Sequence, residues 1–344
     1  MDDRINIVAG HALLPADPTK RAELLEFADA HHVLGQMAHF HLEKASDKTA
    51  EVLENGLFRA NFDHQMLRFE MDRLQRALIG TGITPVILKG GAYVATGSNA
   101  GKGRRVSDLD IMVGREQIAE TEALLKNAGW EFEAGVDNLY DINYYRKYMH
   151  ELPPLRHKSR RTLIDVHHGL VPQTASYSFK SDLMLQSAEF IPGTRLKVFT
   201  PVDRFIHSAI HSFADGSFDT PSRSVLELHL LLQDLTAPEK SALVARAVQL
   251  GAAKPVATAL YLLGQALDDT AAKDLRASLG GKAVVDVPIW AFKQKLLRPE
   301  KARAAKLVLF LRSHLIRMPV YLLIIHSLRK FLKFSRRLLS RKPG

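Results

Sequence analysis

The most informative stretch of the chain is Val106-Ser-Asp-Leu-Asp-Ile-Met-Val113. Successive side chains of a β-strand alternate between its two faces, so Asp108 and Asp110 would point one way and Leu109, Ile111 and Val113 the other. Two neighbouring carboxylates repel each other unless a cation lies between them, and carboxylate oxygens suit Mg²⁺. The pattern therefore indicates metal-assisted phosphoryl or nucleotidyl transfer, against the alternative of an edge strand with two solvated acids.

Apolar, strand-like segments lie on both sides of this stretch. Upstream, residues 83–88 end at Lys89-Gly90-Gly91. Two glycines at a strand-to-helix turn let the backbone approach a phosphate closely, and the helix N-terminus behind them offers N–H groups to an anion. Downstream, a strand at 161–167 would place Asp165 and His167 on one face. A third carboxylate on a neighbouring strand would complete a site for two metal ions.

The order of these features resembles the nucleotidyltransferase superfamily of DNA polymerase β. Leu88-Lys-Gly-Gly-Ala92, together with Arg105-Val-Ser-Asp-Leu-Asp-Ile-Met-Val113, is similar to one branch of it, a family of uncharacterised bacterial nucleotidyltransferases. The other matching segments are Leu152-Pro-Pro-Leu155, Ile164-Asp-Val-His167, a helix at 200–211 with two histidines, and Leu226-Glu-Leu-His-Leu-Leu-Leu232. The resemblance extends from about residue 20 to about residue 235 and so covers more than half of the chain.

The resemblance implies an α/β (α+β) fold, with N-terminal helices, a small mixed β-sheet that carries the carboxylates, and a mostly helical C-terminal half. We divide the sequence into an N-terminal helical region (1–82), a nucleotidyltransferase core (83–200), a helical domain (201–292) and a basic amphipathic helical tail (293–344). Apolar spacing predicts helices at 21–30 and 49–58 and a longer one at 57–79. The apolar face of the longer helix would consist of Phe58, Phe62, Met66, Phe69, Leu74 and Leu78.

The resemblance also implies roles for individual residues. Asp108, Asp110 and Asp165 would bind Mg²⁺ or Mn²⁺ and form the catalytic centre. The residues that would hold the phosphates of a nucleoside triphosphate are Lys89, Gly90, Gly91, Arg105 and Ser107. Many superfamily members have a serine where this chain has Gly91, which can offer only its N–H.

The implied reaction moves a nucleoside monophosphate from a Mg-bound nucleoside triphosphate, with a weak preference for ATP, to a hydroxyl of an acceptor. The acceptor could be a small molecule, a glycan or a protein. Two alternatives stay open: phosphotransfer to a small molecule at the same site, and a non-catalytic nucleotide-binding or membrane-peripheral adaptor that retains the fold. Three intact carboxylates argue against the adaptor, because a site without catalysis has no need of mutually repelling acids.

The net charge of +10 is concentrated at the C-terminal end. Residues 293–344 contain 15 lysines and arginines against the single acid Glu300, a net +14, which leaves −4 for residues 1–292. A specific nucleic-acid partner is therefore not indicated. Residues 315–342 have the pattern of a basic amphipathic helix, which could lie on an anionic membrane surface or dock on the protein with its charges in water.

The chain has no cysteine, so disulfides and thiolate metal sites are excluded. Its first residues lack the basic start and apolar stretch of a secretion signal, and no run of about 18 apolar residues predicts a membrane span. We expect a cytoplasmic protein, with peripheral association at the inner face of the membrane as an open alternative.

Three further patterns have more than one interpretation. Residues 97–105 predict a flexible basic loop, in which Lys102, Arg104 and Arg105 contact phosphates or are solvated. His207 and His211 have the i, i+4 spacing of zinc ligands, but Ser208 stands where the HExxH motif has glutamate, so a structural or substrate-facing pair is favoured. The tyrosines at 140, 144, 145 and 148 could stack on a ligand, but a packed loop is favoured.

Overall fold

The structure is a computed structural model that describes residues 3–133, 145–215, 218, 220–285, 287–297 and 301–324. The helices are α1 (Asp3–Val8), α2 (Pro18–Ala30), α3 (Leu34–His41), α4 (Asp47–Ala77), α5 (Lys89–Ala95), α6 (Ile118–Asn127), α7 (Ser181–Gln186), α8 (Pro201–Ile210), α9 (Pro221–Asp234), α10 (Ala237–Gln249), α11 (Ala253–Ala266), α12 (Thr270–Ser278), α13 (Ile289–Leu297) and α14 (Arg303–Arg317). The strands are β1 (Val86–Ile87), β2 (Asp108–Met112), β3 (Trp130–Phe132), β4 (Leu155–His157), β5 (Leu163–His167), β6 (Glu189–Phe190) and β7 (Lys197–Val198).

The seven strands form one mixed sheet in the order β3-β4-β5-β2-β1-β7-β6. Strand β2 lies at its centre, antiparallel to β1 and parallel to β5. The apolar side chains that point away from the carboxylates, Leu109 and Ile111 of β2 and Ile164 and Val166 of β5, are buried, as the alternation of the sequence predicts. The α/β fold class with a mixed sheet, N-terminal helices and a helical C-terminal half is confirmed.

Helix α4 joins two predicted helices into a single helix of 31 residues. Its predicted apolar face is right at Leu74 and Leu78, which are buried, and wrong at the three phenylalanines, Phe58, Phe62 and Phe69, which are exposed. The buried side includes two small residues, Gly56 and Ala60, which let α3 pack closely against it. A Cβ atom on Gly56 would lie only 2.8 Å from Leu34 Cγ. Close approach of the two helices, rather than the size of the apolar side chains, decides which face is buried.

The segment 97–105 is not the flexible loop that its composition predicts. It contains a 3₁₀ turn, Asn99–Gly101, which Asp234 at the end of α9 holds in place. Asp234 accepts hydrogen bonds from Ser98 Oγ (2.6 Å), Asn99 N (3.0 Å) and Asn99 Nδ2 (2.6 Å). Gly103 has a φ of +66°, and a Cβ atom there would lie 2.0 Å from the carbonyl oxygen of Gly35. Only glycine fits this position.

The C-terminal half packs around helix α8, which starts at Pro201 and continues into a π-helical turn, His211–Asp215. Asp203 of α8 is fully buried and accepts two hydrogen bonds from Arg246 of α10, at 2.8 and 2.7 Å. Buried apolar side chains form one continuous cluster from Ile5 to Leu309. Within the described ranges, no helix has both the length and the hydropathy needed to span a membrane.

Candidate active site

Three carboxylates meet where β2 and β5 run side by side. The two parallel strands pair in a register that sets Asp110 opposite Asp165, and Asp108 shares a face with Asp110 because it lies two residues before it on β2. One potential ligand oxygen from each of the three residues lies within 4.8 Å of the others. Asp110 is 4% exposed, whereas Asp108 and Asp165 are partly open to solvent. The structure thus brings together the three acids that the sequence singles out.

Lys89 contacts this group from the first turn of α5. Its Nζ donates a hydrogen bond to Asp110 Oδ1 at 2.7 Å. The residue has a φ of +46°, a left-handed conformation that is unfavourable for most residues other than glycine. Such backbone strain is often found at functional sites. Burial by itself would lower the pKa of Lys89, but the charge of Asp110 and the hydrogen bond to it outweigh burial and raise that pKa. Lys89 therefore provides a fixed positive charge.

His167, the last residue of β5, contacts Asp110 from another direction. Its Nε2 lies 3.1 Å from Asp110 Oδ1, and its Nδ1 lies 3.4 Å from Glu151 Oε2. Burial would lower the pKa of His167, but its hydrogen bond to Asp110 and the charge of Glu151 raise it. Burial would likewise raise the pKa of Asp110, but Lys89 and His167 hold that pKa far below its usual range. Asp110 is therefore ionised at neutral pH.

The other two acids are harder to ionise. Burial, followed by the negative charges of Asp110 and Glu151, raises the pKa of Asp165 to about 7. Burial and the charge of Asp110 also raise the pKa of Asp108. A divalent cation among the three carboxylates would offset the repulsion that produces these shifts, and its preferred ligands are carboxylate oxygens. The donor set therefore fits Mg²⁺ or Mn²⁺.

The carboxylates of Asp108 and Asp110 open into a polar cavity of about 180 Å³. Residues from the turn and from the segment before β2 form one wall, among them Lys89, Gly90, Arg105 and Ser107. Residues of α8, the π-helical turn and α9 form the other wall: Ser208, His211, Thr220, Arg223, Ser224 and Glu227. The cavity therefore has both carboxylates and several cationic side chains on its surface, a combination that suits a metal-bound polyphosphate.

The two glycines of the turn have different surroundings. A Cβ atom on Gly90 would lie 1.8 Å from Arg104 Nη1, so glycine is needed for this arginine to cross the turn. Arg104 is buried and its Nε donates to Glu227 at 2.8 Å. Gly91 does not line the cavity, because its Cα faces Ile87, whose Cγ2 would be 2.8 Å from an added Cβ. Gly90 thus contributes to the cavity surface, and Gly91 to packing beneath it.

The remaining predicted phosphate-binding residues lie at the cavity rim. Arg105 pairs with Asp63 of α4, whose carboxylate also accepts the Val106 N–H at 3.2 Å. Ser107 Oγ donates to Asp108 Oδ1 at 3.3 Å. Both side chains line the cavity.

Helix α9 contributes to this site, although the sequence patterns did not predict it. Arg223 Nε lies 3.2 Å from Glu227 Oε1, which joins it to the buried Arg104–Glu227 pair. The available signal is that Arg223 and Glu227 are spaced i, i+4 on a helix whose other positions are largely buried leucines. An ion pair on such a helix indicates a polar cleft next to it.

The two histidines of the α8 region have pKa values below the ordinary value of histidine. His207 is buried, and burial together with the charge of Lys89 lowers its pKa to about 3. Burial also lowers the pKa of His211 well below its usual value. Both are therefore neutral at physiological pH. Among the described residues, neither belongs to a group of three potential ligands.

The predicted tyrosine cluster is only partly described. Tyr140 and Tyr144 lie outside the described residues, while Lys147 Nζ lies 5.2 Å from the ring of Tyr148.

Comparison with known proteins identifies the family. A search of curated proteins finds no match for the chain. The model of an uncharacterised nucleotidyltransferase family matches residues 17–268, which include the sheet, the three carboxylates and both walls of the cavity. The chain belongs to this nucleotidyltransferase family.

Proposed function

We propose that this protein transfers a nucleoside monophosphate from a Mg²⁺- or Mn²⁺-bound nucleoside triphosphate, with ATP the first to test, to a hydroxyl of an acceptor. The observation that carries this proposal is the convergence of Asp108, Asp110 and Asp165 beside a cavity with cationic walls. Family membership supports the reaction class, and the chemistry of the site supports the metal.

The metal would be held by the three carboxylates, with Asp110 as the ligand that is always ionised. When bound, such a cation stabilises the negative charge that develops on the transferring phosphoryl group. Lys89 keeps Asp110 ionised and fixes its position through the 2.7 Å hydrogen bond. Ser107, which donates to Asp108, orients the neighbouring ligand.

The triphosphate would bind against the cationic residues of the cavity. Arg105 lies in the segment before β2 and Arg223 in α9, and both line the cavity, so phosphates bound there can contact cations from two elements. Gly90 lets Arg104 cross the turn, and Arg104 in turn orients Glu227. Gly91, whose Cα packs on Ile87, would contribute its backbone N–H to the binding of the triphosphate.

The chemical step follows from this placement. The acceptor oxygen forms a bond to the α-phosphorus, and the bond between that phosphorus and the oxygen bridging to the β-phosphate breaks. Pyrophosphate leaves with the bond's electron pair. The hydroxyl proton passes to the carboxylate of Asp165, which lies opposite Asp110 across the paired strands.

Transfer can be tested with α-labelled nucleoside triphosphates, Mg²⁺ or Mn²⁺, and cell extract as the source of acceptors. We expect label to move to an acceptor with release of pyrophosphate, and this transfer to disappear in Asp108→Ala and Asp110→Ala. Asp72→Asn, on the exposed side of α4, is the matched control. Turnover that labels an acceptor only from γ-labelled nucleotide would instead indicate phosphotransfer. Nucleotide binding without any turnover would indicate an adaptor.

We further propose that the C-terminal region contacts an anionic membrane surface from the cytoplasmic side. In the described part, α14 exposes Leu307, Phe310, Leu311 and Leu315, each by 47–58%. Cationic residues such as Arg303 and Lys306 accompany them, and neither α13 nor α14 contains an acid. An apolar helix face with cations beside it suits an anionic lipid interface. The predicted membrane segment 315–342 extends beyond the described residues, which end at 324.

Sedimentation with lipid vesicles tests this contact. We expect the protein to sediment with phosphatidylglycerol vesicles and not with phosphatidylcholine vesicles, and the double variant Leu307→Glu/Leu311→Glu to lose at least about tenfold in binding. Leu13→Glu is the control, because Leu13 is an exposed leucine in a distant segment. Equal binding of the double variant and the control would contradict the proposed surface.

A further inference from the structure

A second group of potential metal ligands lies on the side of His167 that faces away from Asp110. It consists of His150, Glu151 and His167, and one ligand atom from each lies within 4.8 Å of the others. Glu151 Oε2 lies 3.4 Å from His167 Nδ1 and 4.0 Å from His150 Nε2. Both histidines are 4% exposed, and their ring centroids are 5.4 Å apart. We call these three residues the histidine cluster.

Backbone hydrogen bonds fix the histidine cluster in place. Residues 150–152 run alongside β5, where Glu151 forms an antiparallel bridge with His167. The N–H of His168 donates to the carbonyl of His150, and the N–H of Leu152 donates to the carbonyl of Val166, both at 2.8 Å. The ligand atoms are thus brought together by a paired backbone and not by flexible side chains on a loop, which is the preorganisation that a metal site requires.

We propose that the histidine cluster binds a divalent transition-metal cation, zinc or a close analogue, in addition to the Mg²⁺ or Mn²⁺ of the carboxylate site. Two imidazoles and one carboxylate form a ligand set used by zinc sites that keep a further position open. Imidazole ligands favour zinc, cobalt, nickel and iron, whereas the all-oxygen set of Asp108, Asp110 and Asp165 favours magnesium or manganese. Two adjoining sites with different donors can therefore hold different metals.

The two sites share His167. A cation at Nδ1 leaves the proton of this ring on Nε2, which then donates to Asp110 Oδ1 across the observed 3.1 Å. Metal-bound histidines commonly donate their second ring nitrogen to a carboxylate, and this contact fixes the orientation of both groups. The cation in the histidine cluster would thereby position Asp110, so His150 and Glu151 act on the carboxylate site without touching the substrate.

The full-length protein, freed of metal with a chelator, can be titrated with Co²⁺ in excess Mg²⁺. Co²⁺ bound by two imidazoles and a carboxylate gives visible absorption, so its spectrum reports the ligands without any need for activity. We expect one Co²⁺ per wild-type chain, competed by Zn²⁺. His150→Ala should weaken Co²⁺ binding by at least about 10- to 100-fold. His168→Ala, the adjacent histidine that is not in the cluster, should bind as the wild type does.

Asp108→Ala separates the two sites. It should retain Co²⁺ binding in excess Mg²⁺, because its carboxylate is not part of the histidine cluster. Equal loss of Co²⁺ binding in Asp108→Ala and His150→Ala would place the cation at the carboxylate site and overturn the proposal. Absence of Co²⁺ and Zn²⁺ binding in the wild type, or wild-type binding by His150→Ala, would also overturn it. If His150→Ala does not fold, as judged by circular dichroism, Glu151→Gln replaces it with the same expected outcome.

Discussion

Asp110 and Asp165 face each other across parallel strands β2 and β5, paired in register. Asp110 is held ionised by Lys89 and His167, so its negative charge, together with burial, raises the pKa of the opposing Asp165 to about 7. A slip of the strands by one residue would turn one of these acids to the opposite face of the sheet. The register is therefore what converts two separate sequence motifs into one site.

Asp165→Asn should make the metal-free protein more stable at alkaline pH. The raised pKa means that the folded chain keeps a proton on Asp165, which the unfolded chain releases above its ordinary pKa of 3.8. The wild type therefore loses stability as pH rises between these two values, and asparagine removes this loss because it does not ionise. In EDTA, we expect the melting temperature of the variant minus that of the wild type to increase from about pH 5 to about pH 8.

Addition of Mn²⁺ should remove the stability advantage of Asp165→Asn over the wild type at alkaline pH. The wild type gains stability because the cation binds the ionised carboxylate of the folded state, whereas the variant has one ligand fewer. We expect the melting temperature of the wild type to rise clearly more with Mn²⁺ than that of Asp165→Asn. An equal rise in both proteins would show that Asp165 is not a ligand.

How much of this site was foreseeable depends on how local each feature is. The β2 strand and the face that carries Asp108 and Asp110 follow from a two-residue alternation, which is readable within a few positions. The pairing of Asp110 with Asp165 joins segments more than fifty residues apart. The strand patterns and the family resemblance predict that these acids meet, but the register that sets them opposite each other comes from the structure. The left-handed backbone of Lys89 was not foreseeable, because glycine is the residue that usually adopts this conformation and lysine gives no local signal for it.

The errors in the sequence predictions have a common cause. Helix α4 carries apolar residues on more than one face, and contact with α3 selects the face with Gly56 and Ala60. The segment 97–105 has the composition of a loop, but Asp234, more than a hundred residues later, orders it. Arg223 likewise reaches the cavity from α9. In each case distant tertiary contacts override a local pattern.

Lys89→Met should destabilise the metal-free protein, and Mn²⁺ should restore much of the lost stability. Removal of the ammonium leaves the buried carboxylate of Asp110 without its closest positive partner, at a cost of about 3 kcal/mol. A divalent cation bound to the same carboxylate would compensate for the missing charge. The free energy of unfolding, measured by urea denaturation in EDTA and in Mn²⁺, tests this. An equal deficit in both conditions would show that lysine and metal do not act on the same charge.

Arg223→Gln should weaken binding of the nucleoside triphosphate more than it slows the chemical step. Arg223 lines the same cavity as Asp108 and Asp110 and belongs to none of the described groups of potential metal ligands. Loss of one charge-assisted hydrogen bond to a phosphate corresponds to roughly a 10- to 100-fold rise in KM. Steady-state kinetics with varied nucleotide gives KM and kcat separately, and Arg59→Gln on the exposed side of α4 is the control. A fall in kcat at constant KM would contradict a role in binding.

Gly90→Ala should destabilise the protein and impair nucleotide binding together. An added Cβ would lie 1.8 Å from Arg104 Nη1, so the guanidinium must move and its 2.8 Å hydrogen bond to Glu227 must break or distort. We expect a loss of about 1–3 kcal/mol in the free energy of unfolding, because a well-packed interior accommodates added volume poorly. Gly82→Ala is the matched control, since nothing lies within 4 Å of its added Cβ, and should change stability by less than about 0.5 kcal/mol. Similar values for both variants would mean that Arg104 can leave the turn freely, and that Gly90 is not needed to hold this wall of the cavity in place.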